Sequence, residues 1–140
     1  MGIWRIALLA ALVLFLGATM TSPAQAVTAQ KKVLVQLREQ GGFAGIDDRV
    51  TVYTDGCVRL SRRTGPAVDA CLTSGEIRGL RRDLKQLRLG SSETQPPGAD
   101  FIQYTLSYQG HRTARYTLPS TWSPVVRRLE KILQKYWAPA

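Results

Sequence analysis

The 140-residue chain contains a single histidine, His111, and this scarcity excludes most familiar catalytic sets. A Ser/His/Asp or Cys/His arrangement would need His111 as its base, yet His111 falls at the tip of a predicted hairpin, where a solvated turn residue is expected. Asp47 and Asp48 do not form a catalytic carboxylate pair, because consecutive strand residues point to opposite faces. We therefore expect no enzyme activity, no cofactor and no metal site, which leaves a binding protein by elimination.

Cysteine is almost as rare, with only Cys57 and Cys71 in the chain. Thirteen residues separate them, which is unlike the Cys-x-x-Cys spacing of redox and zinc sites. In a protein outside the cytoplasm, an even pair of cysteines favours a disulfide bond. Closing a loop of about fifteen residues would stabilise the fold by roughly 3 kcal/mol in the chain-entropy model. A structural disulfide is predicted.

Acidic residues are few, with 10 Asp and Glu against 19 Lys and Arg, so the formal net charge is +9. The cations do not form one block, because the doublets Arg62-Arg63, Arg81-Arg82 and Arg127-Arg128 lie on three predicted elements. Solvated helix faces account for most of them. One function that this charge allows is that of a cationic exported protein that binds an anionic polymer or a cell-envelope component, and it is kept as the alternative to the function inferred below. Aromatic residues do not alternate with the basic ones, so nucleic acid is not an expected partner.

Long apolar runs are limited to the amino terminus, where Arg5 precedes an apolar stretch over residues 6–17. Ala24-Gln25-Ala26 then has the small-x-small pattern that signal peptidase accepts. We expect cleavage after Ala26, so that residues 1–26 are a signal peptide and the protein is secreted. The apolar stretch is shorter than the ~20 residues that span a bilayer, so no stable membrane insertion is expected.

The remaining chain has the length of one domain. We expect a short amino-terminal segment at residues 27–32, a folded domain at 33–137, and a monomer.

Three strands are predicted in the first half of this domain. Apolar residues alternate over Lys32–Leu37 and over Arg49–Thr54, which indicates an antiparallel hairpin with an oversized loop. Asp55-Gly56 is a two-residue turn signal, and Cys57–Arg62 continues as the third strand. Residues 63–70 are expected to be irregular, because Thr64-Gly65-Pro66 interrupts the strand pattern. The disulfide would then join the start of the third strand to the entry of the next helix.

A helix is predicted next, with Thr73 as its N-cap in a capping box with Glu76 and with Gly90 as its stop signal. A second hairpin follows over Phe101–Tyr108 and His111–Leu118.

The final helix has Ser123 as its N-cap and a proline at its first position. The element order β-β-β-α-β-β-α predicts an α+β fold. We expect a single antiparallel sheet of about five strands, with two amphipathic helices packed on one face.

The hairpin loop is the most unusual segment, because it reads Gly41-Gly42-Phe43-Ala44-Gly45-Ile46. Glycine loses more conformational freedom on folding than any other residue, so this composition is typical of a tight loop or of close approach to another surface. Two interpretations remain open at this point. Phe43 and Ile46 are displayed on the loop, or one or both fold back onto the core.

This segment, after a strand ending in Glu39-Gln40, is similar to the opening of the emfourin family. The resemblance extends over residues 33–136 and includes Asp100-Phe101-x-x-Tyr104-x-Leu106, His111 in a turn, and a last helix after Ser123-Pro124. It implies a protein inhibitor of thermolysin-like zinc metalloproteases. The signal peptide, the Cys57/Cys71 pair and the turn at Asp55-Gly56 depart from the family and fit a secreted member. Since no thiolate or histidine cluster could take the zinc ion, we expect the active-site cleft to be blocked by occupancy. The protease-binding residues would be Gly41, Gly42, Phe43, Ala44, Gly45 and Ile46, with Phe43 or Ile46 in the apolar primed-side pocket and Asp47 or Asp48 as possible auxiliary contacts.

Overall fold

The computed structural model describes residues 29–98 and 100–137, and the predicted signal peptide lies outside these ranges. The fold is an α+β arrangement with one antiparallel six-stranded sheet, which confirms the predicted class. Its elements in chain order are β1 (Val33–Gly41), β2 (Ile46–Tyr53), β3 (Cys57–Ser61), β4 (Val68–Cys71), α1 (Ser74–Gln86), β5 (Ile102–Tyr108), β6 (His111–Arg115) and α2 (Ser123–Tyr136). No helix in the described ranges is long and apolar enough to cross a membrane.

The strand order is β4-β3-β2-β1-β5-β6, so the first strand of the domain lies at the centre of the sheet. Two short turns set the register of the neighbouring hairpins. Thr54-Asp55-Gly56 connects β2 to β3, one residue more than the predicted two-residue turn, and Gln109-Gly110 connects β5 to β6 with both residues at positive φ. Positive φ at two successive turn residues matches the right-handed twist of paired strands. The register places Gly41 between Ile46 of β2 and Ile102 of β5.

One face of the sheet forms the core together with both helices, as predicted. Alternate residues of the central strands point to this face, and the apolar stripes of α1 and α2 cover them. Strand residues that are almost fully buried here are Val35, Leu37, Val50, Val52, Val58, Leu60 and Leu106. The helical residues that pack on them include Leu80, Leu84, Val125, Val126, Leu129, Ile132 and Leu133.

The prediction for residues 63–70 was partly wrong, because Val68–Cys71 forms β4 at the edge of the sheet. The element order is therefore β-β-β-β-α-β-β-α. Cys57 and Cys71 form the predicted disulfide, with 3.8 Å between their Cα atoms. They are register partners in the β3–β4 pair, so the bond joins two strands and not a strand to the helix entry. Four residues in which only Val68 and the small Ala70 alternate on the core side were too weak a pattern to predict a strand.

The first helix begins as predicted, with both hydrogen bonds of the Thr73 and Glu76 capping box present. Gly90 is not its C-cap, because α1 ends at Gln86 and the backbone is already extended at Leu87. Leu87 is buried in the core, and this packing ends the helix before the glycine is reached.

Ser123 is not the N-cap of α2, because Trp122 holds that position with helical dihedral angles. The Ser123 hydroxyl instead donates to the carbonyl oxygen of Pro119. Trp122 is fully buried and its indole N–H donates to the carbonyl of Arg88 at 3.0 Å, so core packing sets where this helix starts.

Candidate functional site

The glycine-rich loop is shorter than predicted, because β1 extends to Gly41 and β2 begins at Ile46. Only residues 42–45 lie outside the ladder. The Gly45 N–H donates to the carbonyl of Gly42 at 3.0 Å, which closes a tight turn with Phe43 and Ala44 at its centre. The oversized loop predicted for this hairpin is therefore wrong. Polar residues extend β1 and β2 toward the turn, and these residues lack the apolar alternation from which the strands were predicted.

Glycine is required at this turn for two physical reasons. Gly41, Gly42 and Gly45 all have positive φ, at 109°, 70° and 60°, where a residue with a Cβ is strained. In addition, a Cβ on Gly41 would overlap the carbonyl oxygen of Phe101, the residue directly before β5. The glycines therefore serve close packing of the loop against its own sheet.

One side of the turn is fixed by the segment that leads into β5. The Gly42 N–H donates to the carbonyl of Phe101 at 3.1 Å, and the Phe43 N–H donates to Asp100 Oδ1 at 2.9 Å. Phe101 is itself held by an edge-to-face contact with Tyr116, with 6.4 Å between ring centroids. These contacts fix the backbone on both sides of the Gly42–Phe43 peptide bond.

The other side of the turn is held by Arg63, which follows β3. Its Nη1 lies 3.3 Å from the carbonyl oxygens of Ala44 and Gly45 and donates to both. Arg63 and Asp100 were not predicted as parts of the site, because they are 18 or more residues away from the turn along the chain. The signal in the sequence was their position, two residues after the end of β3 and two residues before the start of β5.

Phe43 is 88% exposed at the centre of this held turn, and its side chain is the most exposed large apolar group of the described chain. Ile46 has a different environment, because it lies in β2 on the helix-covered face and is half-buried. The two apolar residues of the segment therefore differ: Phe43 is displayed, and Ile46 is half-buried in β2 without belonging to the hydrophobic core cluster. The turn can present one apolar side chain, on a constrained backbone, to a concave partner.

Asp47 and Asp48 lie just below the loop, on opposite faces of β2. Asp47 faces the open side of the sheet and accepts two hydrogen bonds from Arg38, at 3.0 and 3.3 Å. The hydrogen bond from Arg38 lowers the pKa of Asp47. Asp48 faces the helices, and its Oδ2 is 3.9 Å from Arg62 Nε. Both carboxylates are therefore directed toward arginines of their own chain.

A group of carboxyl side chains separates this loop from the apolar core. Glu39 pairs in register with Asp48 and Tyr104, and the carboxyl group of Glu130 from α2 reaches it. Burial, together with the neighbouring carboxyl groups of Glu130 and Asp48, raises the pKa of Glu39 to about 7, and Arg62 opposes this shift. Glu39 Oε1 is buried and has no hydrogen-bond partner among the described residues. In residues 29–98 and 100–137, no group of three or more His, Cys, Asp or Glu side chains is arranged to hold a metal ion.

His111 lies at the other end of the sheet, where it is exposed at the start of β6. It borders an open cleft of about 620 Å³ that Arg88 and Arg112 also line. Among the residues that the structure describes, no carboxylate lines this cleft, so none of them is placed there to orient a catalytic imidazole.

No protein-family model matches the chain, and comparison with curated proteins gave no match. The function is therefore inferred from the geometry of the loop and from the resemblance of its sequence.

Proposed function

We propose that this protein is a secreted inhibitor of thermolysin-like zinc metalloproteases that blocks the active-site cleft with the loop at residues 41–46. The observation that carries the proposal is the exposed side chain of Phe43 on a turn held from both sides. Thermolysin-like enzymes have a large apolar pocket on the primed side of the cleft, as the emfourin resemblance implies. Phe43 is the side chain that enters this pocket.

The rigidity of the turn favours inhibition over cleavage. A free peptide loses backbone and side-chain freedom when it binds a cleft, whereas a loop already ordered by its own chain loses less. Asp100 and Arg63 supply this order before any contact with the protease. The Phe43 N–H is already bonded to Asp100, so the peptide next to it is not free to adopt an extended substrate conformation.

Inhibition by occupancy suits the side chains near the loop better than capture of the zinc ion. Zinc is bound most strongly by thiolate and imidazole groups, and both cysteines are joined in the disulfide. Asp47 and Asp48 lie beside arginines, so the proposal assigns them no direct zinc contact. Phe101 is 38% exposed next to the loop and supplies a second apolar contact for the rim of the cleft.

An extracellular site of action agrees with the chemistry of the chain. Disulfide bonds persist in oxidising compartments, and the Cys57–Cys71 bond is formed. Thermolysin-like proteases are themselves exported, so the inhibitor and its target would meet outside the cell. The partner is the protease, and the proposal requires no catalytic activity of this chain.

The proposal is tested by mixing the protein with several thermolysin-like proteases and following the cleavage of a peptide substrate. Replacing Phe43 with alanine removes the contact in the pocket, and we expect inhibition to weaken by about 30- to 150-fold, since burial of a phenylalanine contributes roughly 2–3 kcal/mol. The matched control is Val33→Ala, because Val33 is also an exposed apolar residue, at 48%, but lies at the opposite end of β1. The control should inhibit like the wild type.

Both variants should keep the thermal midpoint of the wild type, because neither side chain belongs to the buried core. No inhibition by the wild type at micromolar concentration across several such enzymes would refute the proposal. Equal inhibition by the wild type and Phe43→Ala would show that another surface makes the contact.

A further inference from the structure

The outer surface of the two helices is much more basic than the rest of the domain. Helices α1 and α2 together carry eight cationic side chains and three acidic ones, a net charge of +5. In the sequence, the three arginine doublets lie on separate predicted elements. The fold brings two of these doublets, Arg81-Arg82 and Arg127-Arg128, onto neighbouring helices.

The three acidic side chains of the helices are already engaged. Asp83 binds Arg128 of the other helix with Oδ2 2.6 Å from Nε, and Glu76 binds Lys135 at 2.7 Å. Glu130 is directed inward to Glu39. The six remaining cations have no carboxylate partner among the described residues and are exposed, and they are Arg78, Arg81, Arg82, Lys85, Arg127 and Lys131.

These cations are close neighbours on their helices. Arg78 and Arg82, Arg81 and Lys85, and Arg127 and Lys131 are each four residues apart, a spacing that stacks side chains on one helix face. Like charges at this spacing destabilise a helix, and ordinary solvated helices place opposite charges there. The repulsion is relieved when an external anion lies between the cations.

The two cationic ridges run side by side. Asp83 near the end of α1 meets Arg128 near the start of α2, and Glu76 at the start of α1 meets Lys135 near the end of α2. The helices are therefore antiparallel neighbours, with axes about 8–10 Å apart. The ridge from Arg78 to Lys85 is about 10 Å long at 1.5 Å per residue.

We propose that this helical surface binds a linear polymer of repeating phosphate groups. Four of the six cations are arginines, whose planar guanidinium groups bind phosphate oxygens in pairs. A flexible phosphate chain crossing both ridges would place several negative charges among the six cations. This inference does not rest on the proposed function, because none of the contacts that hold the Phe43 turn comes from a helix.

Other anionic partners fit this surface less well. The exposed large apolar residues of the described chain are Val33, Phe43 and Phe101, and none belongs to a helix. The helical surface therefore lacks side chains that would insert into a membrane or stack on nucleic-acid bases. A phosphate polymer without bases needs only the cations.

Titration of the protein with long-chain inorganic polyphosphate tests the proposal. The key variant is Arg82→Gln/Arg127→Gln/Lys131→Gln, which removes three charges from the two ridges. The matched control is Arg49→Gln/Arg112→Gln/Lys32→Gln, which removes two arginines and one lysine that are exposed away from the helices. Both variants have the same net charge, so they separate a specific surface from general attraction.

We expect the helix variant to bind polyphosphate at least tenfold more weakly than the wild type at 0.15 M salt, and the control to change by less than threefold. The binding should also weaken steeply as added salt shortens the screening length. Thermal midpoints of both variants verify that they are folded. Equal loss in both variants, no binding of polyphosphate by the wild type, or stronger binding to vesicles of anionic lipid would each overturn the proposal.

Discussion

Replacing Glu39 with glutamine tests whether a buried carboxyl group limits stability beneath the Phe43 turn. Glu39 lies on the helix-covered face of β1, between Asp48 and Tyr104 in the sheet and against Glu130 of α2. Glutamine has nearly the same shape and remains neutral at every pH. The variant therefore keeps the packing and removes only the ionisation.

The magnitude follows from the pKa of Glu39, which burial and the neighbouring carboxyl groups raise from 4.5 to about 7. One pKa unit corresponds to about 1.4 kcal/mol, so ionised Glu39 destabilises the folded state by at most roughly 3 kcal/mol. Water reaches part of this side chain, and screening reduces the effect. We expect the Glu39→Gln variant to be more stable than the wild type by about 1–2 kcal/mol above pH 8.

The sign of the pH dependence is opposite to that of a salt-bridged acid. The folded protein holds the Glu39 proton more tightly than the unfolded chain, because the pKa is higher in the folded state. Between pH 4.5 and about 7 the unfolded chain releases this proton first, so stability falls as the pH rises through that window. The wild type and the variant should have similar stability at pH 4.5 and diverge toward pH 8.

Urea unfolding of both proteins at pH 4.5, 6, 7 and 8 measures this difference. The control is Asp69→Asn, which removes an exposed carboxylate of β4 far from the helices and should not change the slope between pH 4.5 and 8. Parallel stability curves for the wild type and Glu39→Gln would refute the assignment of a raised pKa. A variant that is less stable at every pH would show that the carboxylate is stabilised by Arg62.

Three other variants test individual contributions to the stability of the fold. Gly41→Ala should lower the free energy of unfolding by about 3 kcal/mol, because it combines positive φ with overlap of the Phe101 carbonyl, and urea unfolding measures this loss. The double variant Cys57→Ser/Cys71→Ser should lose roughly 3 kcal/mol, and a thermal midpoint equal to that of the wild type would contradict this. Burial opposes ionisation of Glu76, but hydrogen bonds outweigh it and lower its pKa to about 2. Water screens these contacts at the surface, so Glu76→Gln should be less stable than the wild type by only about 1 kcal/mol at pH 7. The difference should shrink as the pH falls from 4.5 to 2, which acid titration of the folded fraction measures.

Local patterns in the sequence correctly predicted the elements whose structure is determined by residues close to them along the chain. The capping box at Thr73 and Glu76 and the alternating strands around Val35 and Val52 are specified by near neighbours, and the structure has them where they were expected. Errors arose where distant contacts decide the outcome. The fourth strand exists because it pairs with β3 across the disulfide, and α1 ends where Leu87 turns into the core.

The candidate site shows the same division. The glycine segment and its two apolar residues, Phe43 and Ile46, could be found from the sequence composition, but their exposure could not. The contacts that make it rigid could not, because Arg63 and Asp100 approach the turn only after β1 pairs with β2 on one side and with β5 on the other. Whether Phe43 is displayed depends on these long-range contacts.

Near the loop of the β1–β2 hairpin, two side chains lower the stability of the fold. Phe43 exposes an aromatic ring, and Glu39 buries a carboxyl group next to two others. Neither feature improves folding, and each would be removed by a single substitution. Strained or costly features that cluster at one position are expected where a surface serves a partner rather than the fold. The core beneath it, from Val35 to Leu133, consists of buried apolar side chains, so it is stable enough to hold the hairpin end in this shape.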